Sequence, residues 1–203
     1  MSKELDSFEA ILHRDFRWPR DGDKPFSVSS NAERNAYVAK SGHSRLVLMM
    51  TGYKTAGDTL VEKTKSSPSD RDTLVFPIVF NYRHFIELNL KYLIAMYGPS
   101  VRIEANWNTH DIAQLWRTFE EVVAEYGMSD KEADKAVKQI IADFAKIDPQ
   151  SFSYRYPVDR DGNIIELGQE QIDLSTLADV MEGVDGYFSG CDGYMDDLKN
   201  AGP

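Results

Sequence analysis

Cysteine is almost missing from this chain of 203 residues, which has only Cys191. A single thiol cannot form an internal disulfide, and nothing in the composition points to an oxidising compartment. The four histidines, His13, His43, His84 and His110, lack the close spacing of zinc ligands. The sequence therefore excludes a disulfide-stabilised scaffold and gives no sign of a structural zinc site.

Long apolar runs are also missing. Charge or glycine interrupts each apolar stretch before it reaches the ~20 residues that a membrane-spanning helix needs. The start, MSKELDSFEAILHR, mixes both charges and does not look like a signal peptide. Hydrophobic residues nevertheless make up 42% of the chain and aromatic residues 11%, which is enough for a folded core. We expect a cytoplasmic protein without membrane contact.

Positive charge is scarce, because the formal net charge is −10. Residues 1–100 hold 14 Lys and Arg against 12 Asp and Glu, whereas residues 101–203 hold 9 against 21. Broad nucleic-acid binding needs a basic surface, so this balance argues against it. Only a local basic patch remains compatible with the composition.

Apolar residues recur at helical spacing in five segments. The predicted helices cover about 44–64, 72–97, 109–126 and 129–147, and a last one begins at Leu174. Five amphipathic helices with short connections predict an all-α fold, an antiparallel helical bundle. We expect an irregular N-terminal arm over residues 1–43 and the bundle over residues 44–203.

Capping residues place three of these helix ends. Thr109 is a suitable N-cap for the third helix, and SDKE at 129–132 has the capping-box pattern for the fourth. Asp148-Pro149 should stop the fourth helix. Pro77 is compatible with the second helix only near its first turns.

One segment changes its period. SFSYRYPVDRDGNIIEL, residues 151–167, alternates apolar and polar residues and contains an Asp-Gly turn, which predicts a short β-like hairpin or flap at 150–168. The segment also resembles an EF-hand loop through Asp159, Asp161, Asn163 and Glu170, but the position that requires glycine is Ile164. We therefore expect no metal ion and no cofactor.

Charges interrupt the apolar stripe of the second helix, in FNYRHFIELNLKYLI at 80–94. On a helical wheel Arg83 lies in the middle of the stripe, with Glu87 beside it and Lys91 at its edge. A lone buried arginine costs several kcal/mol, so it must be paired, and Glu87 at i+4 is the nearest partner.

This charged row has two interpretations. In the first, Arg83 and Glu87 form an internal salt bridge that fixes helix register. Removing either partner should then destabilise the fold, and replacing both with apolar residues should be near neutral. In the second, the row lines a cleft or dimer seam and binds an anion such as phosphate.

The stretch YRHFIELNLKYLI, followed after a loop by THDIAQLW, resembles the HEPN superfamily of prokaryotic helical-bundle proteins. Those proteins often carry an Arg-x-x-x-Glu-Leu-x-Leu-Lys helix and then a His-Asp helix start. The resemblance covers about residues 44–147. It implies a homodimer in a bacterial toxin–antitoxin, stress or antiphage defence system, with RNA or a nucleotide as ligand and an antitoxin or other defence protein as a possible partner.

The resemblance also implies a metal-independent endoribonuclease with Arg83, His84, Glu87 and His110 as candidate catalytic residues. The family's Arg-x4–6-His signature is absent, because the nearest histidine after Arg83 is the adjacent one. Adjacent helical residues point about 100° apart, so these two cannot form the usual one-faced pair. His110 can substitute only where the bundle brings its helix start beside Arg83.

Anion contacts are predicted for Arg83, Lys91 and Arg155. Three aromatic residues surround Arg155 in SFSYRYPVD, and such a pattern can stack bases or pack as a flap over the bundle. In the last helix, four glycines lie away from the apolar face: Gly183, Gly186, Gly190 and Gly193. They either form a surface without side chains that another chain can approach closely, or they let the helix fray.

Two functions stay open on this evidence. The chain is either an HEPN-like protein that binds RNA or a nucleotide, with or without cleavage, or a non-catalytic helical module for dimerisation and protein interaction. A basic cleft around Arg83 and Lys91 favours the first function, and a fully packed ion pair favours the second.

Overall fold

The computed structural model describes residues 17–127 and 131–201 of the chain. The chain divides into two compact units, one ending at Val38 and the next beginning at Ala39, where the sequence placed the boundary after residue 43. In the described part of the first unit, the backbone is irregular apart from one 3-10 turn, Ala32–Arg34.

The second unit confirms the predicted all-α bundle. The helices of the described residues are α1 (Gly42–Thr64), α2 (Pro68–Tyr97), α3 (Ile112–Glu125), α4 (Lys131–Ile147) and α5 (Leu174–Ala201). Helix α2 is central and packs against α1, α3 and α5. A central helix has little exposed surface, which explains why α2 is apolar almost all round. None of the helices in the described ranges has an apolar stretch that could cross a membrane.

Helix α2 begins four residues earlier than predicted. The side chain of Ser67 accepts a hydrogen bond from the Asp70 amide, and Pro68 occupies the first helical turn, where its missing N–H costs nothing. Pro77 consequently lies inside the helix and beyond its first turns, so the sequence-based limit on its position was wrong.

The other predicted boundaries need smaller changes. Helix α3 is capped by Asp111, which accepts from the Gln114 amide, and not by Thr109, which instead accepts from the Asp111 amide. The proposed capping box at 129–132 begins outside the described residues, because 129 and 130 are not among them. Helix α4 ends at Ile147, directly before Asp148-Pro149 as predicted.

The predicted hairpin at 150–168 reduces to a single antiparallel bridge between Val158 and Ile164. The Ile165 amide donates to the Pro157 carbonyl at 3.0 Å, and the Asp159 amide donates to the Asn163 carbonyl at 2.9 Å. Pro157 has no N–H to extend such a ladder, and no strand forms in this described segment.

Helices α1 and α2 approach each other closely at Gly57. A Cβ atom at this position would lie 2.6 Å from the Tyr82 ring, a distance that forces the ring to move. Gly57 is therefore required for the packing that brings the polar residues of α1 against α2. In α5, by contrast, the four glycines face open space.

Candidate functional site

Arg83 is fully buried in the middle of α2. Its Nη1 donates to Glu87 Oε2 at 3.1 Å, which confirms the predicted i,i+4 pair. Its Nε donates to the Asp148 carbonyl at 2.7 Å, and its Nη2 donates to the carbonyls of His110 at 2.7 Å and Pro149 at 3.2 Å. Arg83 thus ties α2 to two loops, the one before α3 and the one after α4.

Glu87 joins two cationic side chains, those of Arg83 and Lys91, and the imidazole of His110. Its Oε2 accepts from Arg83, while its Oε1 accepts from Lys91 Nζ at 2.9 Å and lies 2.9 Å from His110 Nδ1. Burial alone would raise the pKa of Glu87, but the hydrogen bonds of Lys91 and His110 outweigh it and lower the pKa. The carboxylate is therefore ionised at neutral pH. We call Arg83, Glu87, Lys91, His110 and Asp148 the Glu87 network.

Lys91 is as internal as Arg83. Its side chain is 5% exposed, and its Nζ also donates to the Trp107 carbonyl at 3.2 Å. Trp107 and His110 belong to the same loop before α3. Two buried cations of α2 therefore hold that loop at two points.

These contacts use the cationic atoms that were expected to bind an anion. Each guanidinium nitrogen of Arg83 donates to a protein oxygen, and the side chain has no exposed surface. Burial lowers the pKa of Arg83, while the charges of Asp148 and Glu87 oppose that change, and an arginine with such partners stays charged. Neither Arg83 nor Lys91 therefore presents its charge to solvent. This is the fully packed ion pair that favours the non-catalytic function, and any contact with RNA has to be made by other, exposed groups.

His110 is the member of the Glu87 network that reaches solvent, with 56% of its side chain exposed. A carboxylate can only accept, so the hydrogen bond from His110 Nδ1 to Glu87 places a proton on Nδ1, and in the neutral form of the ring Nε2 is then the acceptor. No group in residues 17–127 or 131–201 occupies that Nε2. The bundle thus brings the backbone of His110 beside Arg83, which is the condition for His110 to take the place of the missing signature histidine.

His84 points away from Arg83, as the helical geometry predicts. Its ring lies 4.4 Å from the Tyr53 ring in an edge-to-face contact and stacks on Phe80 at 5.6 Å. Burial lowers the pKa of His84, and it is therefore neutral at physiological pH. This makes His84 a packed ring rather than a proton donor.

Arg155 is exposed and lies over the rings of Phe80 and Tyr156. Its guanidinium carbon is 5.4 Å from the centre of Phe80 and 5.6 Å from that of Tyr156. Its Nε donates to the Ser151 carbonyl at 2.6 Å, which leaves both terminal nitrogens without a partner among the described residues. Ser151 has a φ of 58°, an uncommon conformation for a residue with a side chain.

Asp148 belongs to the site, although the sequence predicted only that it ends the fourth helix. It is fully buried, and its Oδ1 accepts from the amides of Phe152 at 2.7 Å and Ser153 at 2.9 Å. Its Oδ2 lies 3.6 Å from Arg83 Nε. Asp148 therefore shapes the loop that leads to Arg155. An Asp before a proline at the end of an amphipathic helix is the only sequence signal for it.

The described residues contain no group of three or more His, Cys, Asp or Glu arranged to hold a metal ion. The arrangement offers instead one oriented imidazole, one exposed guanidinium and a set of aromatic rings. Comparison with family models, with curated proteins and with solved structures finds no match to this chain, so the HEPN resemblance stays a prediction and function must be argued from this geometry.

Proposed function

We propose that the surface around His110 and Arg155 binds single-stranded RNA and that His110 serves as the general base of a metal-independent cleavage. The observation that carries this proposal is the 2.9 Å contact between His110 Nδ1 and the buried Glu87 carboxylate. A buried carboxylate that orients a solvent-facing imidazole is the arrangement of general base catalysis in many hydrolytic sites.

The chemistry needs only groups that are present. The His110 Nε2 takes the proton of an RNA 2′-hydroxyl, and the 2′ oxygen attacks the adjacent phosphorus. The bond from phosphorus to the 5′ oxygen breaks, and the departing oxygen takes a proton from solvent. The products are a 2′,3′-cyclic phosphate and a 5′-hydroxyl. Glu87 stabilises the imidazolium that forms on His110 during the step.

Substrate contact falls to the exposed groups. The free terminal nitrogens of Arg155 suit a phosphate oxygen pair. Tyr156 is half exposed, but its ring stacks on Phe152 at 4.6 Å and lies under Arg155, so a base meets its exposed edge. The formal net charge of −10 makes any binding depend on this local contact and on low salt.

Arg83 and Lys91 act here as positioning residues. Arg83 binds the backbone of His110 on one side and of Asp148 and Pro149 on the other, so one buried side chain sets the loops that carry both exposed groups. In this role the arginine and glutamate of the HEPN-like pattern orient the imidazole. The resemblance would place the activity in a bacterial stress or defence system.

Arg155→Ala is expected to weaken binding of a labelled single-stranded RNA by about tenfold or more, because it removes a charge-assisted phosphate contact. Arg160→Ala is the matched control, since Arg160 is exposed in the same segment. Fluorescence anisotropy at low salt measures both affinities. Equal losses in the two variants would show that only total charge matters, and absence of binding by the wild type would contradict the proposal.

A second function, a non-catalytic association module, is favoured by a different surface. An almost entirely apolar groove of about 540 Å³ lies between α1 and α2, and Leu46, Met49, Leu88, Met96 and Trp107 are among its lining residues. Large exposed apolar patches mark interaction sites. We propose a second copy of this chain as its occupant, in keeping with the homodimer expected from the sequence.

Light scattering over a micromolar concentration series tests this association. We expect a dimer for the wild type and a monomer for Met49→Asp, which puts a charge into the groove. Thr59→Asp is the control, because Thr59 is exposed on the same helix outside the groove. A wild type that is monomeric throughout, or a Met49→Asp variant that still dimerises, would exclude the groove as the dimer interface.

A further inference from the structure

A polar cavity, separate from the Glu87 network, lies between α1, α2 and α5. Its volume is about 330 Å³, at the lower end of the range of small-molecule sites. Its charged lining consists of one lysine and four acidic residues, a formal excess of three negative charges: Lys54, Asp58, Glu182, Asp185 and Asp192.

Lys54 is already neutralised by two of these acids. The residue is 6% exposed, and its Nζ donates to both oxygens of Asp58, at 2.8 and 3.1 Å, and to Glu182 at 3.0 Å. Burial would lower the pKa of Lys54, but the hydrogen bonds to Asp58 and Glu182 outweigh it and raise the pKa. The three donors of the ammonium are used, so Lys54 has none left for an anionic ligand.

Asn89 and Asp185, both on the cavity wall, have acceptor atoms without a donor among the described residues. Asn89 is 93% buried, since its exposed fraction is 7%, and its Nδ2 donates to the Phe85 carbonyl at 2.9 Å. That bond fixes the amide orientation, and its Oδ1 is left toward the cavity with no donor from the described residues. Asp185, also on the cavity wall, makes no hydrogen bond or ion pair within the described ranges.

The direction in which the pKa of Asp185 is shifted agrees with the lack of a donor for its carboxylate. Burial raises the pKa of Asp185, Lys54 opposes the change, and the nearby charges of Glu182 and Asp58 add to it. An added positive charge beside the carboxylate would lower that pKa again. An amide oxygen without a donor and an unpaired carboxylate are partners that suit an ammonium donor.

The rest of the wall indicates what kind of cation fits. The half-buried side chains of Tyr92, Val47 and Met50 line the same cavity, and Phe85 and Phe188 lie behind them, almost fully buried. Aromatic faces attract ammonium groups, and methylene groups pack against apolar walls. A bare metal ion would gain nothing from these surfaces, whereas an aliphatic amine uses both.

We propose that this cavity binds a small aliphatic diamine or polyamine, with one protonated amine held by Asp185 and the amide oxygen of Asn89. The remaining carbon chain lies along the wall that Tyr92, Val47 and Met50 form. The protonated amines of the ligand thereby offset the negative charge that remains on the four acidic residues after Lys54 is counted. This site is independent of the proposed RNA chemistry, because it shares no residue with the Glu87 network.

Titration calorimetry with spermidine and with putrescine, in about 0.15 M salt to screen loose surface attraction, tests the proposal. We expect saturable binding by the wild type and about a tenfold or greater loss in Asp185→Asn, which removes one charge without removing a bond partner. Asp179→Asn is the matched control, since Asp179 is exposed on α5 away from the cavity. It should bind as the wild type does.

The neutral analogue 1,4-butanediol should not bind, and Mg²⁺ should not displace spermidine at equal concentration. Binding of the diol as tight as that of putrescine would overturn the ionic recognition. Equal weakening in Asp179→Asn and Asp185→Asn, displacement by Mg²⁺, or absence of spermidine binding would each overturn the site.

Discussion

Replacing Glu87 with leucine is expected to lower the free energy of unfolding by about 3–5 kcal/mol, because two buried cations, Arg83 and Lys91, lose their shared counter-charge. For a chain of this length the melting temperature should fall by about 6–20 °C. Thermal unfolding followed by circular dichroism measures the change.

The matched control is Glu62→Leu. Glu62 also pairs with a lysine, Lys65, but both side chains are largely exposed, and such pairs contribute about 0–1 kcal/mol. A Glu87→Leu variant that melts as the control does would show that the Glu87 network does not stabilise the fold.

The same network changes an expectation drawn from the sequence. Replacing Arg83 and Glu87 together with apolar residues was predicted to be near neutral, as for an isolated pair. In the structure that double variant leaves Lys91 without its carboxylate and leaves three backbone carbonyls without the guanidinium. We therefore expect the double variant to remain destabilised, since each buried unpaired group costs about 1–3 kcal/mol.

Replacing His110 with alanine is expected to reduce RNA cleavage by about 10²–10⁴-fold, the usual contribution of a general base. Stability should change by less than about 1 kcal/mol, because the lost side chain is half exposed. Arg83 binds the backbone carbonyl of His110, which the variant keeps, and Glu87 retains its two buried cations. Single-turnover cleavage of an end-labelled RNA measures the rate.

His43→Ala is the control for that experiment. His43 is an exposed histidine at the start of α1 that lines the apolar groove and lies outside the Glu87 network. The His43→Ala variant keeps the proposed base and should cleave RNA at the wild-type rate. A His110→Ala variant that cleaves as fast as His43→Ala would remove His110 from the reaction.

Much of the fold could be predicted from the sequence because it depends on local spacing. The five helices follow apolar periodicity, and the row of Arg83, Glu87 and Lys91 lies within one helix, where i,i+4 geometry predicts its contacts. The start of α2 was misplaced because Ser67 and Pro68 lie in a segment whose serines and single proline are also typical of a loop.

The rest of the site depends on contacts between distant segments. Asp148 lies 65 residues beyond Arg83, and the contact is to its backbone carbonyl, which any residue type carries. His110 lies before the start of α3, and its bond to Glu87 depends on how that loop folds. In the polar cavity between α1, α2 and α5, Lys54 of α1 pairs with Glu182 of α5, and no periodicity in the sequence indicates that pair.

Cleavage of a labelled single-stranded RNA by the wild type, in the presence of a chelator, tests the central claim most directly. The substrate is compared with the same oligonucleotide made of DNA, which lacks the 2′-hydroxyl that His110 is proposed to deprotonate. The account predicts cleavage of the RNA alone, with a 2′,3′-cyclic phosphate at the new end and loss of activity in His110→Ala. Intact RNA at enzyme excess, or equal cleavage of the DNA, would contradict it.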